Sequence, residues 1–199
     1  VLVYAFELLT KIYEEEGFDN NEIPELILKN NLFGIDIDER AAQLAAFALS
    51  MKARSYYNRF LRKPIQPQVI ALENVSEETI QQAVNLPLVV NGKKIVNYND
   101  LSLNLLTQAD NFGSLIQINS EEIDAINIQQ GSIWQEQQEK LKYQANFLSK
   151  TYHCVVTNPP YMGARYMNAT LKDWVRKVYP EGSGDLFAAF ILRCKIFTN

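Results

Sequence analysis

Histidine is nearly absent from this chain. His153 is the single one among 199 residues, and cysteine occurs only as Cys154 and Cys194. One imidazole and two separated thiols cannot build the ligand cluster that zinc requires, so no metal centre is expected. Two cysteines are also too few for a disulfide-stapled secreted domain and suit a reducing cytoplasm. No apolar run approaches the ~18–20 residues that span a bilayer, so no membrane partner is expected. A signal peptide is lacking, and the chain opens on Val1, so the natural start is expected upstream. Positive charge is in deficit too, with 19 Lys and Arg against 23 Asp and Glu, a net charge of −4. That excludes a uniformly basic nucleic-acid coat and leaves local clusters to be weighed separately.

What is present is the composition of a soluble globular protein, 47% hydrophobic and 21% charged, long enough for one domain or most of one. Leu2, Phe6, Leu9 and Tyr13 recur at helical spacing, predicting a helix over 1–16 that Gly17 closes. A short helix over 24–29 follows. The apolar run Leu32 to Ile37 then reads as a buried strand. Asp38 opens a long Ala-rich helix to about Arg59, and Gln68 to Leu72 reads as a second strand. Strand–helix–strand alternation predicts a parallel, helix-covered sheet.

Residues 75–150 break that alternation and read as an insertion between sheet strands. Asn91-Gly92, set between two β-prone runs, predicts a hairpin. A Gln-rich helix over about 132–149 reads as a solvated face. The apolar run Cys154 to Thr157 is expected to be a buried strand, with a helix over 171–178 after it and a last one capped by Asp185. Two cationic clusters stand out. Lys52, Arg54, Arg59, Arg62 and Lys63 either bind nucleic acid or complement a helix dipole. Arg165, Lys172, Arg176 and Lys177 are better placed for phosphate contacts, because they follow the most informative loop of the chain.

That loop is Asn158-Pro159-Pro160-Tyr161. Neither proline has an N–H to donate, so the chain must leave its sheet there in a rigid, extended turn. In open α/β sheets ligands bind beyond the carboxyl ends of strands, which is where this turn is expected. The tetrapeptide resembles the catalytic loop of S-adenosylmethionine-dependent methyltransferases that act on planar amino groups, above all adenine in DNA. An adenine amine is a poor nucleophile because its lone pair is delocalised. Asn158 can accept one amino hydrogen and the Pro159 carbonyl the other, which favours a pyramidal nitrogen aimed at the donor methyl. Tyr161 offers a face on which a base flipped out of the duplex can stack.

On the cofactor side, Asp36 ends the first strand in the position that holds ribose hydroxyls, with Ile37 placed to pack on the adenine ring. Asp38 reads as a helix cap rather than a ligand. Glu73 and Asn74, ending the second strand, are candidates for hydrogen bonds to that adenine; Asp110-Asn111-Phe112 competes for the same role. The glycine-rich cofactor loop is expected upstream of Val1.

The wider pattern extends the resemblance. The segments 32–38, 111–116, 155–163 and 184–190 occur in the order seen in large adenine-specific DNA methyltransferases, and are most similar to those of the BREX phage-defence systems. That resemblance implies a Rossmann-like α/β methyltransferase sheet, incomplete at both ends, within an internal fragment of a larger cytoplasmic enzyme. It implies S-adenosyl-L-methionine as cofactor, with double-stranded DNA and other phage-defence proteins as partners. Asp36 would contact the cofactor, Asn158 to Tyr161 the target adenine, and Asp185, Phe187 and Arg165 the substrate side. Related loops also methylate protein glutamine or RNA guanine, and a non-catalytic DNA-binding role is the remaining alternative.

Overall fold

A computed structural model describes residues 1–198, which divide into two compact units with the boundary between Leu72 and Glu73. The first unit begins with α1 (Leu2–Glu15). Phe6 and Thr10 bury one side of it, and the Thr10 hydroxyl donates back to the Phe6 carbonyl at 2.8 Å. Gly17 ends the helix at φ +84°, a left-handed backbone that glycine adopts without a Cβ penalty. A short helix α2 (Ile23–Leu26) runs into one wide turn over Ile27–Asn31. Strand β1 (Phe33–Asp36) then leads to α3 (Glu39–Tyr56) and strand β2 (Gln68–Ala71).

β1 and β2 are parallel, with Phe33 opposite Gln68 and Asp36 opposite Ala71. The parallel direction follows from the α3 crossover, which carries the chain back to the starting end of the sheet. Phe6, Ile23, Ile27, Leu28, Leu49 and Phe60 form the core of this unit. The strand expectation is corrected in one respect: β1 is half-buried rather than enclosed, and Ile37 just beyond it is 57% exposed. In β2 only Ile70 is fully buried.

The second unit starts with α4 (Glu77–Ala83), capped by the Ser76 hydroxyl, and the antiparallel hairpin of β3 (Leu88–Val90) and β4 (Lys93–Ile95). Asn91 and Gly92 at its tip have φ of +50° and +74°, the pair of left-handed residues that a two-residue turn needs. Short helical turns lead through α5 (Ala109–Phe112) and α6 (Ser120–Asp124) to α7 (Gln135–Ser149). α8 (Ala169–Val178) and α9 (Leu186–Phe197) complete it. Leu103, Leu106, Leu115, Ile116, Leu141 and Ala145 are buried at its centre.

Two expectations fail here. Cys154 to Thr157 forms no strand: the ladder-like contact just before it is a parallel bridge from Tyr152 to Thr198, and Val156 is 67% exposed. The run has strand composition, but among the described residues no neighbouring strand pairs with it. The Gln-rich helix is not a solvated face throughout. Gln138 and Gln144 on α7 are buried, their side-chain carbonyls accepting the Gln129 N–H at 2.8 Å and the Glu73 N–H at 2.7 Å. Amides suit that place because each satisfies a backbone donor that an apolar side chain would orphan.

Candidate active site

The Asn158–Tyr161 loop is fixed by hydrogen bonds just beyond it. Pro159 is buried and Pro160 exposed, and the Pro160 carbonyl accepts the Met162 N–H at 2.9 Å. The Met162 carbonyl in turn accepts the Leu186 N–H at 2.9 Å, and the Ala164 N–H donates to Gly184 at 3.0 Å. An antiparallel bridge pairs Gly163 with Asp185. The loop exit is therefore laced to the start of α9 by main chain. Asp185 caps that helix, its carboxylate accepting the Phe187 N–H at 2.9 Å. This places Tyr161 and Phe187 ring to ring, 6.1 Å between centroids and 11° from parallel. Tyr161 is 88% exposed and Phe187 41%, so both rings present open faces.

Within the loop the acceptors stay free. Neither the Asn158 amide nor the Pro159 carbonyl has a hydrogen-bond partner among the described residues, whereas the Pro160 carbonyl is taken. The structure thus gathers Asn158, Pro159, Pro160, Tyr161, Asp185 and Phe187 into one locality. Arg165 sits in the following turn, where the Tyr166 N–H donates to Gly163 at 2.9 Å, and its side chain is exposed. A recess of about 320 Å³ lined by Val90, Lys94, Asp100 and Asn119 lies on the hairpin and includes none of these residues.

The residues expected on the cofactor side fall in both units. In the first, Asp36 is exposed at the carboxyl end of β1, its Oδ1 accepting the Ile37 N–H at 2.8 Å and the Asp38 N–H at 3.0 Å. Those bonds give the carboxylate a structural role and leave Oδ2 open among the described residues. Asp38 caps α3 through the Arg40 and Ala41 N–H groups. In the second unit, Glu73 pairs with Lys140, and the Asn74 side-chain carbonyl accepts the Asp110 N–H at 3.1 Å. Asn74 and Asp110, rivals for one role in the sequence, are therefore neighbours. The Asn111 side-chain carbonyl accepts from the Asn168 amide at 2.7 Å, tying this corner to the cap of α8. Of the first cationic cluster, Lys52 pairs with Glu7 and Arg54 donates to Asn58, so these two serve the helix.

Sequence reasoning missed Arg193. It is 3% exposed inside α9 and donates to three carbonyls: Ser114 at 2.9 Å, Ile116 at 2.7 Å and Leu148 at 2.6 Å. Its guanidinium also lies 3.6 Å over the Phe197 ring. Burial draws its pKa down to about 10, against the raising influence of Tyr179, Cys194 and Tyr152. The signal was available: Arg193 interrupts the apolar run Leu186 to Leu192 that opens α9. Tyr179 was missed as well. Its hydroxyl donates to the Leu115 carbonyl at 2.6 Å and accepts from Gln117 at 2.8 Å.

The sequence profile of the Eco57I restriction-modification methylase family matches residues 30–199. The chain belongs to that family. It is 34% identical to the adenine-specific methyltransferase BrxX of Escherichia coli O9:H4 (strain HS), over 96% of its own length. It is 33% identical to the adenine-specific methyltransferase PglX of Lacticaseibacillus casei (strain Zhang), over its whole length. In both cases the chain spans 18% of the relative. All the loop, cap and ring residues gathered above lie inside the part that matches the Eco57I methylase family.

Proposed function

We propose that the protein carrying this chain transfers a methyl group from S-adenosylmethionine to the exocyclic amine of a flipped adenine in double-stranded DNA, in phage defence or restriction–modification. One observation carries the reading. In a member of the Eco57I methylase family, the Asn158 amide and the Pro159 carbonyl stand unused beside two nearly parallel, exposed aromatic rings.

Each residue then has a defined task. The Asn158 carbonyl accepts one amino hydrogen and the Pro159 carbonyl the other, which holds the nitrogen lone pair out of conjugation. Tyr161 and Phe187 offer flat surfaces, and stacking on one of them is worth roughly 1–3 kcal/mol against the cost of unpairing the base. Asp185 positions Phe187 through the helix cap and does not touch the amine. An amine turns acidic once it is alkylated, so no strong base is required. Arg165 and its exposed turn serve the substrate side.

In the first unit, Asp36 has an open carboxylate oxygen suited to a ribose diol and Ile37 an exposed apolar face suited to a purine. In the second unit, taken by itself, Asn74 keeps an amide nitrogen free to donate. The Glu73 carboxylate is engaged by Lys140, so Glu73 acts there by fixing the turn that presents Asn74. S-adenosylmethionine, when bound, supplies an electrophilic methyl group. Asn158→Ala in the full-length protein is expected to abolish methylation of a duplex substrate while leaving duplex binding within about threefold, since the change removes a single uncharged group. Radiolabelled methyl transfer and fluorescence anisotropy measure the two quantities. Methylation surviving in the Ala variant refutes the assignment.

A further inference from the structure

We infer that the outer face of α8 is a sequence-independent docking surface for the phosphate backbone of duplex DNA, built from Lys172, Arg176 and Lys177. The inference rests on the DNA reading above. Between residues 165 and 177 the chain carries four cations and one anion, although its net charge is −4. Leu171 and Val175 bury the opposite side of the helix, leaving Arg176 and Lys177 exposed and Lys172 half-buried. Among the described residues, the one ion pair these three make is Arg176 with Asp173 at 4.0 Å. Both of its side chains are more than half exposed, and a pair of that kind contributes little.

Solvation and the helix dipole account for only part of this. Arg176 and Lys177 lie in the last turn, where cations complement the dipole. Lys172 lies in the amino-terminal half of α8 and Arg165 precedes it, so neither gains from that effect. Four like charges on so short a stretch repel one another and are relieved by a polyanion. The presentation is also rigid. Asn168 caps the helix at Leu171 (2.8 Å) and reaches Asn111, while Trp174 packs on Phe112 with centroids 4.7 Å apart. An anionic membrane is a poorer match, because the apolar side of α8 is already buried and none is left to enter a bilayer. Phosphate contacts position a protein without reading sequence, which suits a helix that follows directly on a base-binding loop.

The test is the salt dependence of duplex binding by the full-length protein carrying Lys172→Ala, Arg176→Ala and Lys177→Ala together. Removing one cation from a phosphate is expected to flatten the slope of log K against log salt by about 0.9, and removing all three by about 2.7. The flattening should be equal on duplexes with and without the target adenine. The charge-conserving set Lys172→Arg, Arg176→Lys and Lys177→Arg should restore the slope. An unchanged slope overturns the surface, as does a loss confined to the target-bearing duplex or to binding of an acidic protein. Failure of the methylation reading looks different: wild-type protein would bind duplex with a steep salt slope that the triple variant flattens, yet modify no adenine.

Discussion

Arg193→Leu tests how the second unit is held together. The substitution keeps much of the apolar volume but removes the donors to Ser114, Ile116 and Leu148. With the side chain 3% exposed, water has no path to replace them. Each orphaned carbonyl costs about 1–3 kcal/mol, so three cost about 3–9 in gross terms. Against that stands relief from burying a guanidinium that has no carboxylate beside it, a penalty of several kcal/mol. Because the guanidinium keeps three hydrogen bonds, that relief is held to about 1–3 kcal/mol, and set against a mid-range gross cost of about 6 it leaves a net loss of about 3–5 kcal/mol. At 1.4 kcal/mol per factor of ten, amide exchange in the segments around 114–116, 145–149 and 186–197 should accelerate by about a hundred- to several thousand-fold. Hydrogen–deuterium exchange with peptide-level mass spectrometry reads this directly. Arg193→Lys, a single point donor in place of a planar fork, should fall between the two. Exchange in the Leu variant within tenfold of wild type would show that the three carbonyls do not depend on this side chain.

Gly182→Ala perturbs the site from behind. A Cβ there would stand 2.7 Å from the Ala189 nitrogen and 2.9 Å from the Ala188 carbonyl carbon, both backbone atoms that cannot swing away. The start of α9 must move, and with it Asp185 and Phe187, so single-turnover methylation should slow by at least about tenfold; a rate within twofold of wild type would mean that the loop tolerates the shift. Tyr152 gives a pH prediction. Burial holds its hydroxyl up at about 12, against a lowering influence from Arg193. The unfolded phenol therefore ionises first, near pH 10, so the stability that Tyr152 contributes is present below about 10 and lost on the way to about 12. Thermal melts of wild type and Tyr152→Phe across that window should show the shallower decline in the Phe variant, and parallel declines would contradict the assignment.

The elements legible in the sequence were those whose signal is local. Asp38 and Asp185 announce helix starts by side-chain capping, and both make those bonds. Asn91-Gly92 announces its hairpin because few other pairs tolerate two positive φ angles. What stayed hidden depends on partners distant in the chain. Gln144 reads as a surface residue until Glu73, 71 positions away, brings a main-chain N–H that needs an acceptor. Arg193 reads as an interruption of an apolar helix until three carbonyls from two other segments converge on it. Cys154 to Thr157 shows the opposite error. Strand composition is local, but a strand needs a ladder, and among the described residues none is offered. The stacking of Tyr161 on Phe187 belongs to the same class, since it follows from the main-chain lacing of 162–164 to 184–186.

That lacing explains why the loop can be both rigid and chemically unsatisfied. A loop normally becomes rigid by consuming its own polar groups, which then have nothing left for a ligand. Here rigidity comes from two prolines that have no N–H to place, and from hydrogen bonds made at Met162, Ala164 and Leu186, outside the tetrapeptide. Removing two donors also leaves fewer N–H groups that the loop must satisfy. A substitution such as Pro160→Ala returns an N–H to the loop and frees its φ, loosening the turn. On the proposed reading, two free acceptors on a fixed backbone are what consecutive prolines supply, with Asn158 as the smallest side chain that adds an uncharged carbonyl just ahead of them.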